Sequence, residues 1–280
     1  MRRIGIITLI LLLLVGFFLY RSNIYALGLR VLSFYKFSTE AKLDYGSWTK
    51  VDWDVPSYKS WDNMLKKYVL PNGDVDYKGW QEEKAALRAW LKDVSIFPPS
   101  HKWTEEQQLA HWINLYNAYT ILLVLDHYPI ASIKDIQAGT TLINSVWDLK
   151  FFEIGGRKMD LNTLEHGILR KEFDEPAIHF AINCASYSCP KLRNEAYSAA
   201  LLANQLEDQS SYFILNSSKN RIAHNKWELS MIFAWYEDDF QGKEGVTDFV
   251  KQYLQVDPDA DVDISYMPYN WSINEVEALP

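Results

Sequence analysis

Residues 160–190 read DLNTLEHGILRKEFDEPAIHFAINCASYSCP and hold both cysteines of the chain. Asp160 or Asn162 is expected to cap a helix that runs to about Lys171, and Pro176 ends any helix before the next segment. Residues 177–183 then alternate between a large apolar face and a face of small and polar side chains, which predicts a short strand. A helix, a turn, a strand and a loop in this order fit the α+β fold that we predict.

The segment Thr104 to Asp126 is the clearest helix outside that stretch. Thr104 and Gln107 fit a capping box, and the helix is apolar nearly all round, which predicts a buried position. Asn114 and Asn117 lie within it, and a buried amide needs hydrogen-bond partners. Two interpretations follow: these side chains tie loops to a core helix, or they position a substrate or a catalytic histidine.

The rest of the body predicts a helix-rich domain with a small β-sheet. Gly155-Gly156 is typical of a hairpin turn, and residues 220–229 form a second candidate hairpin. Further helical patterns cover residues 61–68, 76–91, 193–216 and 245–254. The aromatic tail at 266–274 is expected to pack back on the body, after an acidic loop at 257–263. We therefore predict a single globular domain over 56–280.

Composition narrows the function classes. The chain has 280 residues, a formal net charge of −8, and 48% hydrophobic residues. The negative charge and the absence of a basic run interleaved with aromatic residues argue against nucleic-acid binding. Two cysteines are too few for a disulfide scaffold. The sequence contains no phosphate-binding glycine loop and no dinucleotide fingerprint, so we predict no cofactor.

The N-terminus predicts a membrane anchor. Arg2 and Arg3 precede residues 4–20, which are uncharged, almost wholly apolar and about 25 Å long as a helix. We expect an uncleaved signal-anchor over residues 1–22, with a cleaved signal peptide as the alternative, and a linker or amphipathic juxtamembrane segment over 23–55. Residues 4–20 would hold the protein in a membrane with the globular domain outside the cytoplasm, on the periplasmic side in a Gram-negative bacterium.

Several segments together resemble one protein family. They are VDYKGW at 75–80, LAHWINLYNAYT at 109–120, TLEHGILR at 163–170, IHFAINCASYSCPKLRNEAY at 178–197, LSMIFAWYEDDF at 229–240 and YNWSIN at 269–274. This combination is similar to the family called domain of unknown function 547, from about residue 57 to 275. The resemblance implies these domain boundaries and a small exported bacterial protein. His111, where an apolar or aromatic residue is expected, and Asn270, where Asp is usual, depart from the pattern.

A thiol nucleophile is the first hypothesis for the chemistry. Cys184 needs a base or a positive neighbour to lower its pKa, and His166 or His179 is the candidate base. Glu165 is a weaker candidate to orient His166, because adjacent helical residues diverge. Asn183 is a candidate to orient the histidine or to donate to an oxyanion.

Candidate substrate-binding residues are Asn114, Asn117 and Arg170, although the helix dipole alone explains an arginine near a helix end. The predicted function is a cysteine-dependent hydrolase or acyl or amide transferase that acts on an envelope or extracellular substrate.

A disulfide between Cys184 and Cys189 is the main alternative. It would suit an exported protein and would make the domain a non-catalytic binding or assembly module. Zinc could be held by the two cysteines with His166 and His179, but their spacing is not that of a familiar finger, so no metal is predicted. A further alternative is that both cysteines are buried core residues without a chemical role. Asp238 and Asp239 are interpreted as a solvated turn.

Overall fold

Helix α4, Glu105–His127, is the central element of the core. Every residue from Leu109 to Leu125 is buried. Thr104 accepts from the backbone of Gln107 and Gln107 returns the bond, so the predicted capping box is confirmed. The computed structural model describes residues 52–136, 145–254 and 262–276, and the statements below concern these residues.

The described elements form a helix-rich α+β fold with small sheets, as predicted. The helices are α1 (Lys59–Tyr68), α2 (Tyr77–Trp80), α3 (Lys84–Val94), α4 (Glu105–His127), α5 (Arg170–Glu172), α6 (Ile178–Ala181), α7 (Leu202–Leu215), α8 (Met231–Trp235) and α9 (Gly242–Lys251), with a π-helix at Thr163–Leu169 directly before α5. The strands are β1 (Phe152–Ile154), β2 (Arg157–Met159), β3 (Arg221–Ala223), β4 (Lys226–Leu229) and β5 (Asp263–Tyr266).

Both predicted hairpins are confirmed. Strands β1 and β2 pair antiparallel around Gly155 and Gly156, whose φ angles of 57° and 75° favour glycine. Strands β3 and β4 form the second hairpin, and β5 joins β4 in parallel. The order of this three-stranded sheet is β3-β4-β5.

The aromatic tail packs back on the body, as predicted. The backbone N–H of Tyr187 donates to the carbonyl of Ser272 at 2.7 Å, and Ser186 and Ile273 form a β-bridge. The side chain of Asn274 is buried and accepts from the hydroxyl of Tyr77 at 2.9 Å. The C-terminal tail therefore packs against the loop that contains the two cysteines.

The strand predicted over 177–183 is wrong. Residues Ile178–Ala181 form the short helix α6. Glu175 accepts from the backbone N–H of Ala177 at 2.9 Å and starts this turn. Both faces of the segment are buried, so the alternation of side-chain size carried no information about an exposed and a buried face.

The predicted helix that begins near Asp160 is confirmed, with a different geometry. Asp160 Oδ1 accepts from the backbone N–H of Thr163 at 2.7 Å, so Asp160 is the capping residue. The following residues, Thr163–Leu169, take the wider π-helical form, which occurs often at functional sites. The helix predicted over 193–216 begins only at Leu202.

Two predictions fall largely outside the described residues. The anchor at 1–22 and most of the segment at 23–55 precede residue 52, and most of the acidic loop at 257–263 lies in the gap before residue 262. Within the described part of the chain, no helix is both long enough and apolar enough to span a membrane.

Candidate functional site

The loop 183–190 holds Cys184 in a fixed position. Asn117 of α4 accepts from the backbone N–H of Asn183 at 2.8 Å and donates to the carbonyl of Ala181 at 2.9 Å. Asn183 in turn donates to the carbonyl of Pro190 at 2.7 Å and accepts from the N–H of Ala185 at 2.8 Å. Both buried amides therefore anchor the loop to the core helix.

Ala185, directly after Cys184, has a φ of 58°. This left-handed conformation is uncommon for a residue with a side chain, and such strain clusters at functional sites. The hydrogen bond from Ala185 to Asn183 supports the turn at this position. The loop thus presents Cys184 on a tight and well-anchored bend.

Three polar groups lie within hydrogen-bond distance of the sulfur of Cys184. Its Sγ lies 3.1 Å from Ser186 Oγ, 3.2 Å from Tyr269 Oη and 2.9 Å from Cys189 Sγ. Both cysteines are free thiols; Cys184 is half-buried and Cys189 is buried. The backbone N–H of Cys184 also donates to Cys189 Sγ at 2.9 Å.

The two thiols differ in how readily they ionise. Burial acts to raise the pKa of Cys184, but the hydrogen bonds from Cys189, Ser186 and Tyr269 outweigh it and lower that pKa. Burial raises the pKa of Cys189 well above its ordinary value, and the adjacent Cys184 adds to the rise. The pKa values of the two thiols are thus shifted in opposite directions, and Cys184 is the one that ionises more readily.

A buried carboxylate, Glu165, lies on the π-helix. It accepts from Tyr116 Oη at 2.9 Å and from Tyr236 Oη at 2.5 Å. Burial acts to raise the pKa of Glu165, but His166, the Tyr236 hydroxyl and His179 outweigh it and hold the pKa below its ordinary value. Glu165 is thus an ionised carboxylate that two phenols hold in place.

Asp239 links Arg170 to His179. Arg170 donates to both Asp239 oxygens, at 2.5 and 2.7 Å, and His179 Nε2 lies 2.6 Å from Asp239 Oδ2. Burial opposes the charge, but the hydrogen bonds from His179 and Arg170 hold the pKa of Asp239 well below its ordinary value. The interpretation of Asp239 as part of a solvated turn is therefore wrong, and Arg170 is committed to an ion pair.

The hydrogen bonds assign the tautomers of the two histidines, because burial lowers the pKa of both and leaves them neutral. His166 Nδ1 lies 2.5 Å from an N–H of Arg170 and must accept, so Nε2 carries the proton, 3.9 Å from Glu165. His179 donates through Nε2 to Asp239. Its buried Nδ1 has no hydrogen-bond partner among the described residues, and its ring stacks on Tyr236 at 3.9 Å.

The thiol and the histidines form neighbouring clusters without a direct hydrogen bond. Within the described residues, the hydrogen-bond partners of Cys184 include no histidine. The negative charge of Glu165 nevertheless acts on Cys184 and opposes its ionisation. The charges of Glu165 and Cys184 together help to raise the pKa of the Tyr116 and Tyr236 phenols. Tyr116, Tyr236 and Glu165 lie beside the two histidines. These three residues therefore interact electrostatically with the sulfur of Cys184.

Five residues of the site were not predicted: Tyr116, Ser186, Tyr236, Asp239 and Tyr269. All five fall in the motifs quoted above, but these motifs are far apart in sequence, so only the folded structure shows that the residues lie together. The resemblance of LSMIFAWYEDDF and YNWSIN to one family was the available signal.

The remaining predicted site residue, Asn114, is fully buried in a structural role. It donates to the carbonyl of Tyr197 at 2.8 Å and accepts from the N–H of Tyr197 at 3.0 Å and from Trp61 Nε1 at 3.2 Å. Among the described residues, no group of three or more histidine, cysteine or acidic side chains has an arrangement that could hold a metal ion.

Comparison with known proteins finds one family model that matches part of the chain. The family model described as Protein of unknown function, DUF547, matches residues 100–214 and supports the resemblance seen in the motifs. The match covers α4, the π-helix and the cysteine loop, but ends before Asp239 and Tyr269. No curated protein and no solved structure matches the chain.

Asp239→Asn is expected to destabilise the protein by about 2–3 kcal/mol. Breaking a buried ion pair costs roughly 3–5 kcal/mol, and the expected loss is smaller because the Asp239 side chain is 23% exposed. The measurement is urea denaturation at pH 7. Asp238→Asn is the matched control, since Asp238 is exposed and adjacent. Equal losses in the two variants would contradict the structural importance of the Asp239 contacts.

Proposed function

We propose that this protein is a thiol-dependent hydrolase or acyl or amide transferase with Cys184 as its nucleophile. The observation that supports it most is the convergence of a hydroxyl, a phenol and a thiol on the sulfur of one half-buried cysteine. Donors that stabilise a thiolate are what a cysteine nucleophile requires. Attack on an acyl carbon forms a thioester with Cys184 and breaks the bond to the leaving group.

The contacts suggest a role for each neighbouring group. Tyr269 lies against the sulfur, where its hydroxyl can donate a hydrogen bond to the thiolate. The leaving group takes its proton from solvent. His179 has an unpartnered Nδ1 and is oriented by Asp239, so it is the better candidate to accept a proton from the water or amine that attacks the thioester. His166 has its basic nitrogen occupied by Arg170 and serves as a hydrogen-bond donor. Because neither histidine contacts Cys184, His179 would act in the second step, through the incoming water or amine.

A non-catalytic binding or assembly module is the second candidate. It is favoured by the 2.9 Å between the two sulfurs, which would need only a short approach to form a disulfide. Oxidation joins both thiols with the loss of two hydrogen atoms to an oxidant such as a small-molecule disulfide. Cys184 would then have no thiolate, so the two candidates exclude each other in the oxidised protein.

We further propose that residues 4–20 anchor the protein in a membrane, with the globular domain outside the cytoplasm. This proposal is supported by the basic start and the apolar run of the sequence. An envelope or extracellular molecule is the corresponding substrate or partner.

Acyl transfer to Cys184 tests the proposed function directly. The purified full-length chain in detergent micelles is mixed with p-nitrophenyl acetate, and peptide mass spectrometry locates any acetyl group. We expect transient acetylation of Cys184 and a release of p-nitrophenol that Cys184→Ala reduces at least ~100-fold. Cys189→Ala keeps the nucleophile and removes one contact to its sulfur, so it should slow the release much less than Cys184→Ala does. Release that is unchanged in Cys184→Ala, with no acetyl group on Cys184, would sink the proposal.

A further inference from the structure

A cavity of about 270 Å3 lies behind the cysteine loop. Asn183, Ser186 and Cys189 form one wall, and the turn at Asn72–Asp74 and the segment around Asn216–Lys219 form others. Cys184 does not line it. The cavity is therefore separate from the exposed side of the nucleophile, although it touches the same loop.

Two lysines, Lys191 and Lys219, line this cavity. Lys191 Nζ lies 3.9 Å from the centre of the Tyr212 ring, and Lys219 Nζ lies 4.4 Å from that of Tyr187. Lys219 also donates to the carbonyl of Tyr187. Each ammonium is thus held in place by an aromatic face, an arrangement that keeps its charge.

Neither ammonium has a carboxylate partner. Among the described residues, no carboxylate oxygen lies within 4.0 Å of Lys191 or Lys219. Asp74 is the only acidic residue of the lining and accepts from the amide of Asn72 at 2.6 Å. Burial lowers the pKa of both lysines, although the charges of Asp208, for Lys191, and of Asp74, for Lys219, act in the opposite direction without direct contact.

The lining carries a formal charge of +1, from two lysines and one aspartate. Its other polar groups are the amides of asparagines and the hydroxyls of serines and tyrosines. Ligand pockets for drug-sized molecules occupy roughly 300–1,000 Å3, so this cavity suits a smaller molecule. A single carboxylate would balance this charge and can accept hydrogen bonds from an ammonium group.

The geometry points to a binding site for a small carboxylate in the cavity between Lys191 and Lys219. This site does not depend on the proposed thiol chemistry. Its occupant would contact the back of the loop that carries Cys184, through Asn183, Ser186 and Cys189.

Thermal unfolding of the full-length chain in detergent micelles tests the site. The sodium salts of acetate, succinate and phosphate are compared with chloride at equal ionic strength and pH 7. We expect acetate or succinate to raise Tm in a saturable way, by roughly 3–6 °C at tenfold excess over Kd. The Lys191→Met/Lys219→Met double variant should lose this rise, and so should at least one single variant. Lys158→Met, an exposed lysine on β2, is the matched control and should keep it.

Three results would overturn the proposal. They are no saturable rise with either carboxylate, a rise that survives in the double variant, and a rise with phosphate alone. The last result would mean an oxyanion site of another class. Far-UV circular dichroism shows whether each variant is folded. If the double variant is unfolded, the loss of the ligand-dependent rise in Tm is judged from the single variants. Because the readout is ligand-dependent stability, it is unaffected by whether Cys184 is a nucleophile.

Discussion

Cys184 of the full-length chain is expected to react with iodoacetamide at least ~10-fold faster than Cys189 at pH 7, with an apparent pKa below the ~8.5 of an unperturbed thiol. Cys184 is half-buried, and its sulfur lies within hydrogen-bond distance of Ser186, Tyr269 and Cys189, which together lower its pKa. Cys189 is buried and its pKa is raised, so it remains a thiol. The rate of labelling of each cysteine, followed by peptide mass spectrometry from pH 5 to 10, gives both pKa values.

Two variants test the physical cause of this reactivity. Cys189→Ala and Tyr269→Phe each remove one donor from the sulfur of Cys184, so each should raise the apparent pKa of Cys184 and slow its labelling at pH 7. Tyr253→Phe is the matched control, because Tyr253 donates to Glu207 and not to a cysteine. An unchanged pKa in both donor variants would show that these hydrogen bonds do not activate the thiol.

The redox state decides between the two proposed functions. If both cysteines react only after mild reduction, the resting protein holds the disulfide and the thiol-nucleophile proposal fails for that form. Rapid labelling of Cys184 without reductant would instead exclude a structural disulfide in the resting protein. A stable disulfide also predicts a mass two hydrogen atoms lower than that of the dithiol.

His111→Phe is expected to remove a large part of the acid sensitivity of the fold. His111 is fully buried in α4, and burial lowers its pKa to about 3. Tyr58 Oη is 2.7 Å from His111 Nδ1, while Nε2 has no hydrogen-bond partner among the described residues. The rings of Trp103 and Trp112 surround it at 5.3 and 5.6 Å. Protonation would leave a buried positive charge among aromatic rings.

The direction of the effect follows from linkage. The folded pKa of His111 lies below the unfolded value of ~6.5, so its contribution to stability is complete above pH 6.5 and is lost as the pH falls towards 3. Between pH 7 and pH 3 the loss from this residue is on the order of 4–5 kcal/mol. The free energy of unfolding of His111→Phe should therefore fall less over this range than that of the wild type.

Urea denaturation at several pH values between 7 and 3 measures this difference. His127→Phe is the matched control, since His127 is exposed at the end of the same helix. Parallel pH profiles for wild type and His111→Phe would show that His111 does not titrate as a buried group.

Asn114 and Asn117 show which properties of a residue can be predicted from the sequence. The apolar periodicity of α4 placed Asn114 and Asn117 in the core, and burial implied hydrogen bonds for both. It did not reveal their partners, because Tyr197 and Asn183 lie 83 and 66 residues away. The structure shows that both amides tie loops to the core helix. Asn117 holds the cysteine loop at 183–190 in this way.

The sequence by itself determined the features that depend on neighbours along the chain. The capping box at Thr104, the hairpin turn at Gly155-Gly156 and the buried character of α4 all follow from residues within a few positions of each other. The density of cysteine and histidine in residues 160–190 also indicated where a site would lie.

Only the tertiary structure decided how that site is built. Tyr269 reaches Cys184 across 85 residues, and Asp239 reaches Arg170 across 69. The segment predicted as a strand at 177–183 contains the short helix α6, and both of its faces are buried. Partners of a buried charge or thiol are chosen by which segments pack together, and packing depends on the whole chain rather than on any local pattern.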